Sequence, residues 1–355
     1  MIKKVLRYPI VLCVVLLAGC AAERPVDRQA LHQIQANRQP ANQQQTNQQQ
    51  ADHVSGTRLL LDTYCTITVF GSNEQSLLDE AFDLCSRYEA LFSITVEGSD
   101  VWRINHAGGM PVAVDQETLA LIGDMRKFGD ITGGKFDISI GRLSTLWDFT
   151  GQSGIPSETD IVFARNTVNY ENILIDGNTV QLVDPEAWID LGGVAKGYIA
   201  DRIAAFLMER GVTGAVIDLG GDVALAGNKP DGTLWRIGIR RPFGGISDLL
   251  GVVETGAASI VTSGTYERQF ESDGVIYHHI LDPDTGMPVE TDIVSVTIIS
   301  DSAAAGDALS TSVLLIGSDM AADLLNRVPG FIGALIVLEN GDLLEYGDIV
   351  FQVFD

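Results

Sequence analysis

The sequence has few positive charges. Its 355 residues include 23 lysines and arginines against 47 aspartates and glutamates, which gives a formal net charge of −24. A chain this acidic repels a nucleic acid duplex, so the composition excludes nucleic acid as the partner. It is equally unfavourable for a nucleotide. A site for such an anion needs local compensation by lysine, arginine, helix dipoles or a divalent cation.

Neither of the two best-known phosphate-binding glycine motifs occurs, because G-x-G-x-x-G and G-x-x-x-x-G-K-[ST] are both missing. Residues 190–197 instead place Gly192 and Gly193 shortly before Lys196, where an amphipathic helix begins. The glycines let the backbone approach a ligand, and the helix start offers free N–H groups and a positive dipole end. The segment fits phosphate or metal binding and, equally well, a plain glycine-rich strand-to-helix turn.

The N-terminal apolar run is too short to span a bilayer. It covers residues 8–17, whereas a spanning helix needs about 20 residues. A positively charged segment precedes it, and small residues lead directly to Cys20. This resembles a bacterial lipoprotein signal, with residues 1–19 removed and Cys20 lipidated; the alternative is an ordinary secretory signal. We therefore expect a membrane-anchored lipoprotein facing the periplasm, with the choice between inner and outer membrane left open.

Residues 20–55 lack aromatic side chains and are rich in Gln, Asn and Ala. Such a segment cannot form a core, so we predict a disordered tether between the lipid and the folded part. The remaining residues, 56–355, are enough for one large domain or two interlocked ones.

Cysteine is scarce in the folded part. Cys13 lies in the signal and Cys20 carries lipid, which leaves Cys65 in a strand pattern and Cys85 in a helical pattern. One disulfide is possible in an oxidising compartment, but the spacing does not demand it. Two buried thiols are the favoured interpretation.

Strand and helix patterns alternate irregularly along the folded part, without an internal repeat. Strand patterns cover residues 59–70, 173–183 (a hairpin), 215–219, 294–299 and 333–353 (two strands). Helical patterns cover residues 74–92, 118–132, 194–210 and 303–316. Runs of strands mixed with helices predict an α+β fold, with mixed sheets and packed helices, over strict βαβ alternation.

Two further segments carry chemically active side chains. His278 and His279 precede an Asp-Pro-Asp-Thr-Gly turn, so the pair ends a strand and only one of them can face a site. A neutral imidazole there can accept a proton from a hydroxyl, unless neighbouring backbone satisfies it. Asp307 and Thr311 share one helix face and can supply oxygen ligands to Mg²⁺, although such pairs are common.

Taken in order, these segments resemble the bacterial ApbE family, the FAD:protein FMN transferases. The matching motifs are residues 190–197, 218–222, 262–264, 279–286 and 307–311, and residues 136–141 and 146–147 also look like the family. The resemblance covers the folded part from about Leu59 to the C-terminus. It implies an ApbE-like, T-fold-like single globule with interlocked subdomains.

The resemblance also implies the chemistry. Members transfer FMN from FAD to a threonine hydroxyl of an acceptor protein, release AMP and depend on Mg²⁺. The expected acceptors are exported or membrane redox subunits. Two rivals remain open: a FAD pyrophosphatase in which water attacks, and a non-catalytic flavin-binding lipoprotein.

Motif matching then assigns roles to individual residues. The implied metal ligands are the Gly193 carbonyl and the side chains of Asp307, Ser310 and Thr311. The implied base that deprotonates the threonine is His279. The implied FAD contacts are Leu61, Asp137, Asp190, Lys196 and Leu281. Two positions depart from the family. Leu61 stands where many relatives have Met, for which we expect changed packing without loss of binding. Arg142 replaces a small residue or Pro and lies either beside the cleft or in solvent.

Overall fold

The structure is a computed structural model that describes residues 5–6, 53–147, 149, 154–245 and 247–354. The predicted lipidation site Cys20, Cys13 and the predicted tether up to residue 52 lie outside the described residues. The described residues belong to one compact unit. Within them, no helix has the length and apolar character needed to cross a membrane.

A large antiparallel sheet forms the centre of the fold. The strands of the described chain are β1 (Val5–Leu6), β2 (His53–Leu60), β3 (Thr63–Phe70), β4 (Val112–Ala113), β5 (Ile173–Asp176), β6 (Thr179–Leu182), β7 (Gly214–Leu219), β8 (Asp222–Gly227), β9 (Trp235–Arg240), β10 (Leu249–Thr255), β11 (Ala258–Gly264), β12 (Gln269–Ser272), β13 (Val275–His278), β14 (Ile293–Ser300), β15 (Phe331–Leu338), β16 (Leu343–Gly347) and β17 (Val350–Val353). The large sheet has the order β1-β16-β15-β14-β11-β8-β7-β3-β2. Smaller sheets have the orders β17-β10-β9 and β4-β6-β5, and β12 and β13 form a hairpin.

Helices cover one face of the large sheet. They are α1 (Gln75–Phe92), α2 (Asp100–Asn105), α3 (Gln116–Thr132), α4 (Gly141–Leu146), α5 (Glu158–Arg165), α6 (Ala195–Glu209), α7 (Ala303–Ile316) and α8 (Ser318–Leu325), with a 3₁₀ turn at Tyr170–Asn172. Alternate residues of the strands, such as Ile67 and Ile217, pack with Leu78, Ile203 and Leu309 of the helices. The period of two along each strand produces this one-sided face.

The opposite face of the large sheet is also buried. Val223 and Ile260 on this face pack against Trp235 and Val253 of the small β17-β10-β9 sheet. The central strand β14 is therefore covered on both sides, and all eight of its residues are buried. This double cover makes the strand ends near α6 and α7 a rigid support for a site.

A separate aromatic cluster joins α4 and α5 to the β12-β13 hairpin. Trp147 lies at its centre, with its ring 5.9 Å from that of Tyr277. The indole N–H of Trp147 donates to the carbonyl of Gly286 at 2.9 Å. Leu143 and Leu281 are buried in the same cluster. The cluster fixes the segment that carries the histidine pair.

The predicted α+β class, with helices packed on sheets, is confirmed, and the predicted helix over residues 303–316 has those bounds. The predicted single strand over residues 59–70 is wrong, because Leu61 and Asp62 form a turn between β2 and β3. Strand β2 begins at His53, three residues before the predicted domain boundary.

Polar residues form the first part of strand β2, which is why the sequence did not indicate a strand there. Ser55 and Thr57 look like tether residues in the sequence, yet their hydroxyls pair across the ladder with Thr68 and Thr66 at 2.8 and 2.9 Å. Near the C-terminus, a third strand, β17, leaves the large sheet and pairs with β10, where two strands were expected. Helices α2, α4, α5 and α8 were not expected.

Cys65 and Cys85 are buried free thiols, as the favoured interpretation predicted. Cys65 lies on β3 and Cys85 on α1, and both side chains are buried in the same core cluster. The thiol of Cys65 also donates to the Leu60 carbonyl at 3.4 Å. The pair thus holds α1 against the strand that follows the Leu61 turn.

Candidate active site

A cleft of about 520 Å³ opens beside the turn between β2 and β3. Five segments line it: the turn itself, the start of α6, the turn between β7 and β8, the end of β9 with the loop after it, and the residues that follow β11. The lining side chains and backbone belong to Leu61, Asp62, Thr63, Lys196, Gly220, Arg240, Phe243, Gly244, Tyr266, Glu267 and Arg268. The predicted residues Leu61 and Lys196 are therefore brought together, although 135 positions separate them in the sequence.

The Leu61 turn has an unusual backbone. Leu61 and Asp62 have φ values of 54° and 56°, in the left-handed region that favours glycine. Two such residues in a row are what a two-residue hairpin turn of the I′ type requires. The amide of Leu61 donates to the Glu89 carboxylate of α1 at 2.9 Å, so α1 holds the turn at the cleft.

Two buried carboxylates share one lysine at the start of α6. The ammonium of Lys196 bonds to Asp222, and Asp307 accepts a hydrogen bond from the Gly197 amide at 3.3 Å. Burial opposes the charge of Lys196, but Asp307 and Asp222 hold the pKa of Lys196 above its ordinary value. Burial, together with Asp222, raises the pKa of Asp307 well above its ordinary value. A bound cation relieves this repulsion between the two carboxylates.

The glycine turn leaves a carbonyl oxygen available. A regular helix pairs the amide of Gly197 with the carbonyl of Gly193, but this amide donates to Asp307. In the part of the chain that the structure describes, no backbone hydrogen bond reaches the Gly193 carbonyl. Gly193 is exposed, so its carbonyl is open to a ligand.

Hydroxyl groups complete the donor set. Ser310 is fully buried and donates to the Asp307 carbonyl at 2.9 Å. The hydroxyl of Ser263, from β11, lies 2.7 Å from that of Ser310 and 3.5 Å from that of Thr311. Over the described ranges, no group of three or more His, Cys, Asp or Glu side chains is placed to hold a metal. A cation here would therefore rely on at most two carboxylates together with carbonyl and hydroxyl oxygens, a set of oxygen donors that suits Mg²⁺.

Helices α6 and α7 touch backbone to backbone behind this donor set. A Cβ atom at Gly197 would lie 2.3 Å from the Ala303 carbonyl oxygen. Asp201, one turn further along α6, accepts from the amides of Ala303 and Ala304 at 2.8 and 3.1 Å. These contacts set the position of α7 and with it that of Asp307.

Replacing Gly197 with alanine tests this close contact. We expect Gly197→Ala to destabilise the fold by about 2 kcal/mol, because backbone atoms that cannot move aside must separate. In α3, a Cβ at Gly123 meets only the Ile175 methyl at 3.7 Å, so Gly123→Ala should stabilise by about 0.5–1 kcal/mol. Urea unfolding of both variants measures the difference, and equal shifts of the same sign would contradict the close packing.

Asp190 shapes the glycine turn. Its carboxylate accepts from the Gly192 amide at 2.8 Å and from the Ser144 hydroxyl at 2.6 Å. The Asn105 side chain holds the amide and carbonyl of Ile189, both at 2.8 Å. Asp190 is not one of the residues lining the cleft, so its proposed contact with FAD stays a prediction.

Asp137 and Leu281 do not line the cleft either. The Asp137 carboxylate accepts from the amide and hydroxyl of Ser139 at 2.7 and 2.6 Å and from the Tyr170 amide at 2.9 Å. Burial raises the pKa of Asp137. Leu281 is buried in the aromatic cluster. Both residues have partners within the fold, and their predicted contact with FAD stays a prediction.

The structure shows where the side chain of Arg142 lies. Its Nε donates to the Glu186 carbonyl at 2.6 Å, and its guanidinium lies 4.2 Å from the centre of the Trp188 ring. Arg142 is therefore held against these residues and does not line the cleft.

His279 is not one of the residues lining the cleft, but it contacts one of them. Its Nδ1 lies 3.3 Å from the carbonyl of Arg268, which lines the cleft. A carbonyl only accepts, so Nδ1 carries the proton and Nε2 is left as an acceptor. Burial, followed by the guanidinium of Arg268, lowers the pKa of His279 to about 4. His278 uses Nε2 to contact the Val289 carbonyl at 3.1 Å.

A protein-family model matches most of the chain. The model of the ApbE family matches residues 61–336. The chain belongs to the ApbE family. A FAD:protein FMN transferase of Klebsiella pneumoniae is 35% identical over 294 residues, which cover 81% of this chain and 88% of that protein. A FAD:protein FMN transferase of Vibrio cholerae is 32% identical over 284 residues, covering 78% and 82%.

Solved ApbE structures share the fold. The crystal structure of the ApbE protein from Thermotoga maritima has a TM-score of 0.76 at 35% identity and covers 84% of this chain and 97% of that one. The flavin transferase ApbE from Vibrio cholerae has a TM-score of 0.74 at 26% identity, with 83% and 97% covered. The predicted ApbE resemblance and ApbE-like fold are confirmed.

Three residues of this ApbE site were missing from the predicted set. Asp222 and Ser263 lie in motifs that the sequence displays, but neither was singled out as a site residue. Glu267 follows β11 and lines the cleft, where burial raises its pKa. The signal for Asp222 was an acid directly after a Gly-Gly step. Nothing in the sequence around Ser263 indicates that its hydroxyl reaches Ser310.

Proposed function

We propose that this chain transfers FMN from FAD to a threonine hydroxyl of an acceptor protein, releases AMP and depends on Mg²⁺. The coarser activity is confirmed: the curated relatives are FAD:protein FMN transferases, and this chain is an enzyme of that class. The finer statement is supported chiefly by one corner of the fold, where the open Gly193 carbonyl, Asp307 and Thr311 lie beside Lys196.

The donor set fits Mg²⁺. Asp307, Thr311 and the Gly193 carbonyl would hold the ion, with Ser310 next to them. Bound there, Mg²⁺ would neutralise charge on the FAD pyrophosphate. Lys196 adds a second positive charge at the same corner and lines the cleft. These two positive charges would offset the repulsion between an anionic substrate and a chain with a net charge of −24.

Residues of this chain would take up the proton and orient FAD. Nε2 of His279 accepts the threonine proton while the threonine oxygen forms a bond to the FMN-side phosphorus. The bond from that phosphorus to the bridging oxygen breaks, and AMP leaves with the oxygen. Leu61 and Tyr266 line the cleft in which FAD must lie, so they would position it against His279.

We also propose that the chain works as a periplasm-facing lipoprotein anchored through Cys20. The support is the N-terminal pattern of a positive segment, a short apolar run and a small-residue site before Cys20. Exported or membrane redox subunits are then the acceptors within reach. The choice between inner and outer membrane stays open.

The transfer reaction is tested by mass spectrometry of an acceptor. We expect an exported redox domain incubated with the enzyme, FAD and Mg²⁺ to gain the mass of one FMN less one water, on a threonine, with one AMP released. EDTA should abolish both products. Accumulation of FMN and AMP without an adduct would identify a pyrophosphatase. Tight FAD binding without AMP, unaffected by EDTA, would identify a non-catalytic flavin carrier.

A further inference from the structure

Among the described residues, the large sheet ends in an unpaired edge strand beside the cleft. Strand β2 is the last strand in the order of the sheet and pairs only with β3 in the described part of the chain. Its last residue, Leu60, leads directly into the Leu61–Asp62 turn that lines the cleft. An unpaired edge of this kind is able to accept an additional strand from another protein.

The hydrogen-bond pattern shows which groups face the open edge. The carbonyl of Tyr64 accepts from the Gly220 amide at 3.2 Å, so the backbone polar groups of Tyr64 point away from β2. Leu59 is opposite Tyr64, and this pair is therefore not hydrogen-bonded. The amide and carbonyl of Leu59 consequently face outwards. By the alternation of the ladder, those of Thr57 and Ser55 do the same.

Large exposed apolar side chains flank the same turn. Leu59 and Tyr64 form a cross-strand pair with 70% and 73% of their surface exposed. Across the cleft, Phe243 is 69% exposed, with its ring 5.3 Å from that of Tyr266. Isolated exposed apolar residues are common, but a cluster at the mouth of a cleft marks a contact surface.

We propose that the acceptor protein presents its threonine on an extended segment that adds to the outer edge of β2. The segment would place an apolar side chain on Leu59 and Tyr64, and the threonine would lie just past the last paired residue, where β2 reaches the cleft. This inference rests on the proposed function, since it names the partner of the same site. Strand addition gives affinity through the backbone and leaves the sequence of the segment broadly free.

Proline at position 57 tests the backbone contact. Thr57→Pro removes one outward amide, and proline is tolerated at an edge where the N–H faces solvent. Thr57→Val loses the same hydroxyl but keeps the amide. With the full chain, FAD, Mg²⁺ and the redox domain that the wild type labels, Thr57→Pro should raise the KM for the domain about tenfold. Thr57→Val should match the wild type, and both should keep wild-type FAD affinity.

A second variant covers the case in which Thr57→Pro fails to fold. Leu59→Ser combined with Tyr64→Ser should also raise the KM for the redox domain about tenfold without altering FAD affinity. An unchanged KM in a folded Thr57→Pro, or an equal loss of FAD affinity, would overturn the docking proposal. So would an edge-paired dimer that Thr57→Pro turns into a monomer. Failure of the wild type to label any domain would instead refute the proposed function, and docking with it.

Discussion

Asp307→Asn should lower the rate of AMP release from FAD by about a thousandfold. Asp307 is buried, accepts the Gly197 amide and faces Lys196. Asparagine keeps the size and one acceptor oxygen but removes the charge that would hold a divalent cation. We therefore expect the Mg²⁺ concentration for half-maximal activity to rise at least about tenfold as well. A Mg²⁺ titration of AMP release measures both effects.

Asp218→Asn is the matched control for Asp307. Asp218 lies at the end of the neighbouring strand β7, and burial raises its pKa, but its carboxylate accepts only a local amide, that of Gly221 at 2.8 Å. Asparagine can keep that bond, so the rate should stay within a few-fold of wild type. Equal Mg²⁺ dependence in Asp307→Asn and wild type would remove Asp307 from the metal site.

His279→Ala should lower the rate of FMN transfer to the acceptor by about a thousandfold, within the range of a lost general base. Binding of FAD, followed by flavin fluorescence, should change little, because the role of His279 is to accept a proton. His278→Gln is the matched control, since the ring of His278 contacts the Val289 carbonyl and the proposed mechanism gives it no role. Equal losses in the two variants would indicate that both act only through folding of the segment.

The pH dependence of transfer follows from the environment of His279. Burial, Arg268, His278 and Lys196 all disfavour the imidazolium, so the pKa of His279 lies at about 4. The base is neutral and active above this pKa and is protonated and inactive below it. We expect kcat/KM for the acceptor to have no acid limb between pH 5 and 7 from this group. A limb near the ordinary histidine pKa of about 6.5 would contradict the assignment.

The sequence indicated candidate site residues where a local pattern carries the signal. Gly193, Lys196, Asp307 and Thr311 could be placed because a glycine turn before a helix and an i, i+4 pair have fixed local geometry. Their meeting at one corner could not be derived in the same way. It depends on the close packing of α6 on α7 at Gly197, which involves a carbonyl more than 100 residues away. The family resemblance supplied that link.

Other features could not be predicted from the sequence because they depend on contacts between distant segments. The hydrogen-bond partners of the Asp137 carboxylate, Ser139 and Tyr170, are one such feature. Strand β2 has the polar composition of a tether and becomes a strand only because β3 offers it an edge. Phe243 lies in a loop whose place at the cleft depends on the pairing of β9 with β10.

A crystal structure of the enzyme with FAD and Mg²⁺ would show whether Asp307, Thr311 and Gly193 hold the metal ion beside the pyrophosphate. We expect a metal ion at about 2.0–2.1 Å from the Asp307 carboxylate, the Thr311 hydroxyl and the Gly193 carbonyl. We also expect the FAD pyrophosphate on the same ion, with the FMN-side phosphorus within reach of a hydroxyl held by His279. A metal bound elsewhere, or FAD lying outside the cleft between Leu61 and Lys196, would contradict the proposed site.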